Sequence, residues 1–128
     1  MNPHENWANE CAGVLQSISE LLLKYDNPYQ VSVIKDIIEG FKLGGSEYDL
    51  AGNDVWGGSG SVVDCNLVSA GGGNVESLRD QREFYRLQIK LADLLIQSGR
   101  ASTLIKHRRG AAITSVEYLN DTYPQINF

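Results

Sequence analysis

Between residues 7 and 25 the apolar side chains fall at Trp7, Cys11, Val14, Leu15, Ile18, Leu21, Leu22 and Tyr25. That is the i, i+3, i+4, i+7 lattice of one helix face. A stripe of this length must be buried against another element, so the spacing predicts a helix over 6–25 and a partner for it. "DNP" at Asp26 to Pro28 supplies both the end of that helix and the start of the next. Asn27 suits a cap, and proline at a first helical position gives up an N–H that has no partner there. Ile34, Ile37, Ile38 and Phe41 continue the helical spacing over 28–43, and Gly44 with Gly45 marks its stop. The first two helices are therefore expected as an antiparallel pair.

From Gly44 to Gly73 the periodicity fails. Nine of the thirteen glycines lie in this stretch, a density that regular elements avoid because glycine loses the most backbone freedom on folding. Within it "SVVDCNLV" reads either as a helical turn, with Ser61 and Asp64 as an approximate capping box, or as a short strand near 61–68. Long loops in compact domains are often functional. Beyond it, Asn74 caps a long helix over 75–98 whose buried face is Leu78, Phe84, Leu87, Leu91, Leu94 and Leu95, with Gly99 as its stop. Two further helices are expected over 101–108 and 111–121, although Ile113, Val116 and Tyr118 also fit a strand over 112–118. The expected fold is all-α: one domain over 1–128, a bundle of four or five helices around an irregular glycine-rich segment at 44–73.

Composition narrows the function. The chain has 128 residues and a net charge of −5. Residues 1–74 hold three basic side chains against ten acidic ones, and residues 75–128 hold eight against six. The acidic part disfavours nucleic acid and suits a cationic protein. The two cysteines, Cys11 and Cys65, lie in different segments and form no CxxC, so no zinc-type Cys and His cluster is expected. The N-terminus lacks a basic region and an apolar core, and the longest aliphatic run falls far short of the roughly 20 residues that cross a bilayer. A cytoplasmic protein with reduced thiols is expected, bound to neither membrane nor nucleic acid.

"VWGGSGSVVDC", Val55 to Cys65, has the look of a phosphate cradle. It fails each template. No lysine occurs between Lys42 and Lys90 for a Walker A loop, Val63 stands where the dinucleotide fingerprint needs its last glycine, and Ser61 stands where a nucleophile elbow needs its second. His4 and His107 have no recognisable partner for a Ser or Cys triad, so no catalytic residue is assigned. Glu47, Asp49, Asp54 and Asp64 crowd the loop, but their spacing does not match an EF-hand, and neither a metal nor a cofactor is expected. Trp56 has two readings: a plug for the helical core, or a projecting contact of the kind enriched in interface hot spots. Tyr48, Tyr118 and Tyr123 are further contact candidates.

The helix ending "LLLKY" at Leu21 to Tyr25, the second helix through Phe41, and "GGSGSVVD" at Gly57 to Asp64 resemble a family of small, mostly helical bacterial proteins. In that family a loop of the form GG[MS]GS is followed by a short apolar pair and Asp. Here Ser59 replaces the usual methionine, Val63 replaces the asparagine that commonly precedes the aspartate, and the Gly71 to Gly73 segment looks like an added loop. The resemblance, over about 12–98, is to immunity proteins of contact-dependent inhibition and other bacterial toxin systems. It implies a binder that neutralises the C-terminal domain of a cognate toxin, and it supplies no catalytic residues. Glu47, Tyr48, Asp49, Asp54, Trp56 and Asp64 are the expected contact residues. Two other readings are a small metal-dependent hydrolase using the loop carboxylates, and a homodimeric module whose Lys106 to Arg109 cluster docks on the acidic part of a second copy.

Overall fold

A computed structural model of the chain describes residues 3–42, 50–67 and 73–126. Among them are four long helices, α1 (Pro3–Lys24), α2 (Pro28–Lys42), α4 (Val75–Gln97) and α5 (Thr103–Thr122), and one short one, α3 (Asn53–Trp56). A 3₁₀ turn occupies Val62–Asp64, and no strand occurs among the described residues. The fold is the expected all-α bundle. The expected break near 109–110 is absent: Gly110 is exposed within a continuous α5, where a glycine costs only about 1 kcal/mol. The strand readings over 61–68 and 112–118 are both corrected, by the 3₁₀ turn and by α5.

Local chemistry sets the helix ends. At the end of α1, Asp26 adopts a left-handed φ of 60°, and Asn27 N–H and Asp26 N–H reach back to the Leu22 and Leu23 carbonyls at 3.0 and 3.3 Å. This double closure normally takes glycine, and aspartate is among the few other residues that tolerate it. The Asn27 side chain donates backwards to the Tyr25 carbonyl at 3.2 Å, so its amide helps close the helix that precedes it. α4 begins as its sequence predicts, with Asn74 Oδ1 accepting from Ser77 N–H at 2.8 Å. It ends in the same double closure as α1, with Gly99 at φ 77°.

Side-chain contacts fix the directions. The Trp7 indole N–H donates to the Leu94 carbonyl at 2.8 Å, joining the start of α1 to the end of α4. Trp7 also meets Phe41 edge-on at 6.4 Å, joining it to the end of α2. Arg109 pairs with Asp93, and Arg82 donates to Asn120, so α5 runs back along α4. Neighbours are antiparallel in the order α2, α1, α4, α5. The core is shared by Leu15, Ile18, Leu22, Ile34, Phe84, Leu91 and Leu95, each at most 1% exposed.

The other end of the α1–α4 pair is polar. Lys24 Nζ lies 2.8 Å from both Glu76 and Asp80, and the Tyr25 hydroxyl donates to Asp80 at 2.6 Å. Burial, then the bond to Asp80, pushes the Tyr25 phenol up to about 12, so it stays a donor at neutral pH. Burial alone raises the Asp80 carboxyl, but the hydrogen bonds from Lys24 and Tyr25 and the Lys24 charge outweigh it and hold it below its ordinary value of 3.8. A carboxyl lowered in the folded state stabilises the fold above its unfolded pKa, and that contribution is lost as pH falls through the folded value. The urea midpoint of the native chain is therefore expected to drop more steeply than that of Asp80→Asn between about pH 5 and pH 2. Parallel profiles contradict this account of the contact.

Candidate functional site

The glycine-rich turn is built from its buried side outward. Val55, Trp56 and Val62 are wholly buried, and Val63 is 8% exposed. Trp56 Nε1–H donates to the Leu50 carbonyl at 2.8 Å, which satisfies the indole inside the core. Of its two sequence readings the core plug holds. Trp56 is corrected as a contact residue, because none of its surface is available to a partner.

Two glycines have different reasons to be there. Gly57 is buried, and a Cβ on it meets the Asn53 carbonyl oxygen at 2.5 Å, within the helical bond its own N–H makes to that oxygen. Gly60 holds a left-handed φ of 87°. Gly58 has neither constraint, since a Cβ there meets nothing within 4 Å. Ser61 stands at the start of the 3₁₀ turn without capping it; its hydroxyl donates back to the Gly57 carbonyl at 2.9 Å. The expected capping box is thus replaced by a side-chain clasp across the turn.

The side chains that reach the turn from α2 and α5 are taken by its carbonyls. A cradle for an anion aims backbone N–H groups at the ligand. Here carbonyls receive cations and amides: Arg108 of α5 donates to the Trp56 carbonyl at 3.1 Å and also to that of Gly57, and Gln30 of α2 donates to Gly60 at 2.9 Å. The N–H groups of Gly57, Ser61, Asp64 and Cys65 close bonds within the segment itself. The turn ties the two outer helices together.

Two of the other expected residues fall among the described ones. Asp54 and Asp64 are exposed, one on α3 and one on the 3₁₀ turn. Glu47, Tyr48 and Asp49 lie outside the described residues. No group of three or more His, Cys, Asp or Glu close enough to hold a metal occurs among the described residues. Cys65 is raised by burial and then by the Asp64 charge, and burial with Glu10 pushes the Cys11 thiol up to about 12. Neither is an activated nucleophile. Within the basic cluster, Arg108 holds the turn, and Arg109 Nε sits 2.6 Å from Asp93. Two of its four members already have anionic or carbonyl partners inside the chain, which weakens the case for docking it on a second copy.

No protein-family model, curated protein or solved structure matches the chain. No helix of the described residues is long and apolar enough to cross a membrane.

A concavity not expected from the sequence lies between α4 and α5. It has a volume of about 480 Å³ and is lined in part by Tyr85, Tyr118 and Tyr123. Tyr118 and Tyr123, named from the sequence as contact candidates, meet here with Gln81. Gln81 is 4% exposed, and its Oε1 accepts from Leu67 N–H at 2.8 Å, which ties Leu67 of the glycine-rich segment to α4. The sequence signal for it was a polar residue inside the apolar stripe of a helix, at a position set by its neighbours Leu78 and Phe84.

Proposed function

We propose that the chain binds and neutralises a bacterial toxin domain in the cytoplasm, as an immunity protein does, through an acidic surface centred on the glycine-rich turn. One observation carries the surface. The turn buries its apolar side chains and is clasped from within by Ser61, Arg108 and Gln30, while Asp54 and Asp64 are exposed on the same short segment. Carboxylates on a pre-organised backbone lose little entropy on binding and steer a cationic partner. The net negative charge of residues 1–74 works in the same direction, and the substrate site of a nuclease toxin has the complementary sign. The toxin reading itself rests on the GGSGSVVD resemblance.

The reading requires the gene immediately upstream to encode a large secreted protein with a variable C-terminal domain, and that domain is the test ligand. In a calorimetric titration at low salt, Asp54→Asn with Asp64→Asn is expected to weaken binding by at least about tenfold, with a smaller loss at physiological salt. An affinity untouched by the double substitution removes the acidic turn as the contact. Absence of any binding by the native chain removes the toxin reading.

A further inference from the structure

We propose that the second half of α5, residues 111–122, is a hinged flap that lifts off α4 about Gly110 while the first half of the helix stays docked. The two halves are held differently. Ile105 is wholly buried and joins the core cluster, Arg108 donates to the Trp56 carbonyl at 3.1 Å, and Arg109 Nε sits 2.6 Å from Asp93. Beyond Gly110 the buried side chains are Ala112 and Leu119, and neither belongs to that cluster. The bond from Arg82 to Asn120, at 3.0 Å, is exposed, so water competes for both of its partners.

Gly110 has no packing reason to be glycine. It lies inside the helix without a left-handed φ, and a Cβ on it meets nothing within 4 Å. Relative to alanine, a glycine in such a place weakens the helix by about fivefold. The following turn adds to this. The Thr114 and Ser115 hydroxyls donate back to the Gly110 and Ala111 carbonyls at 3.1 and 2.9 Å, a bond that competes with the helical ladder. Ile113, Thr114 and Val116 are β-branched and lose side-chain freedom in a helix. The residues that also fit a strand over 112–118 therefore hold their helix through contact with α4. A segment this short does not stay helical alone in water, so lifting and melting are one event. The groove is lined from α4 by Leu78 and Tyr85 and from the flap by Tyr118 and Leu119, so opening uncovers apolar surface on both helices at once. The flap stands apart from the acidic turn and does not depend on a toxin partner.

The test is native-state hydrogen exchange of the full chain, read amide by amide by NMR at rising urea below the unfolding transition. The amides of Ser115 to Leu119 are expected to share one protection value with weak urea dependence, at least about tenfold below that of His107 to Arg109. Simple fraying gives instead a steady fall toward Thr122. Gly110→Ala is expected to raise the protection of Ser115 to Leu119 by about fivefold, which happens only if the opening reaches residue 110. Ile34→Val, in the α2 part of the core, weakens the closed and the flap-open states alike. It is expected to lower protection in α4 and at His107 to Arg109 by about fivefold and to leave Ser115 to Leu119 unchanged. A steady gradient along α5, no response of Ser115 to Leu119 to Gly110→Ala, or a loss there with Ile34→Val equal to that in α4 overturns the proposal.

Discussion

Trp56→Ala is expected to lower the stability of the fold by about 4 kcal/mol, the largest effect of any single substitution considered for this chain. The indole is 0% exposed and packs within the same cluster as Leu50, Val55 and Val62. Truncation opens a cavity where the glycine-rich segment meets the helices, and close-packed surroundings collapse only partly into it. It also removes the donor that reaches the Leu50 carbonyl, leaving that oxygen unmatched. Urea unfolding with an unchanged m-value reads the loss as a lowered midpoint. A change below about 1 kcal/mol would mean that the indole is not the plug described.

Gly57→Ala is expected to cost about 2–3 kcal/mol, large for the addition of one methyl group. The new Cβ meets the Asn53 carbonyl oxygen at 2.5 Å and Asn53 Cβ at 3.1 Å. The first of these is backbone inside α3 and cannot rotate away. Moving residue 57 to relieve the clash disturbs the carbonyl that takes both Ser61 and Arg108, so the strain spreads to the turn and to α5. Gly58→Ala serves as the control, since its Cβ meets nothing and the change is expected to stay within about 0.5 kcal/mol. Equal losses at 57 and 58 contradict the steric account.

The helices were legible where a single face repeats with strong apolar residues and chemical stops bound it. α1, α2 and α4 meet that condition, and their expected ranges lie within a few residues of Pro3–Lys24, Pro28–Lys42 and Val75–Gln97. α5 was harder, because only Ile105, Ala112 and Leu119 of it are buried. A helix covered on one narrow line leaves a weak period, and Gly110 then reads as a break. The glycine-rich segment was legible as irregular but not in its orientation. Whether Trp56 points inward depends on Leu50 offering a carbonyl and on α5 supplying Arg108, contacts 6 and 52 residues away that no local pattern encodes. The groove between α4 and α5 was hidden for the same reason, since Gln81 and Tyr118 come from separate helices and only their packing joins them.

The two glycines of the turn with a physical task bear on how such a sequence drifts. Of the four letters Gly57, Gly58, Ser59 and Gly60, the first is fixed by a clash and the last by a left-handed φ, while Gly58 is free of both. The pattern the fold itself requires is then G-x-x-G with a following serine, and with an arginine some fifty residues later that donates to the carbonyls of the turn. A chain that exchanges the middle two letters keeps this architecture while losing the likeness of its string. Descent through such a turn is better traced by the paired arginine than by the run of glycines.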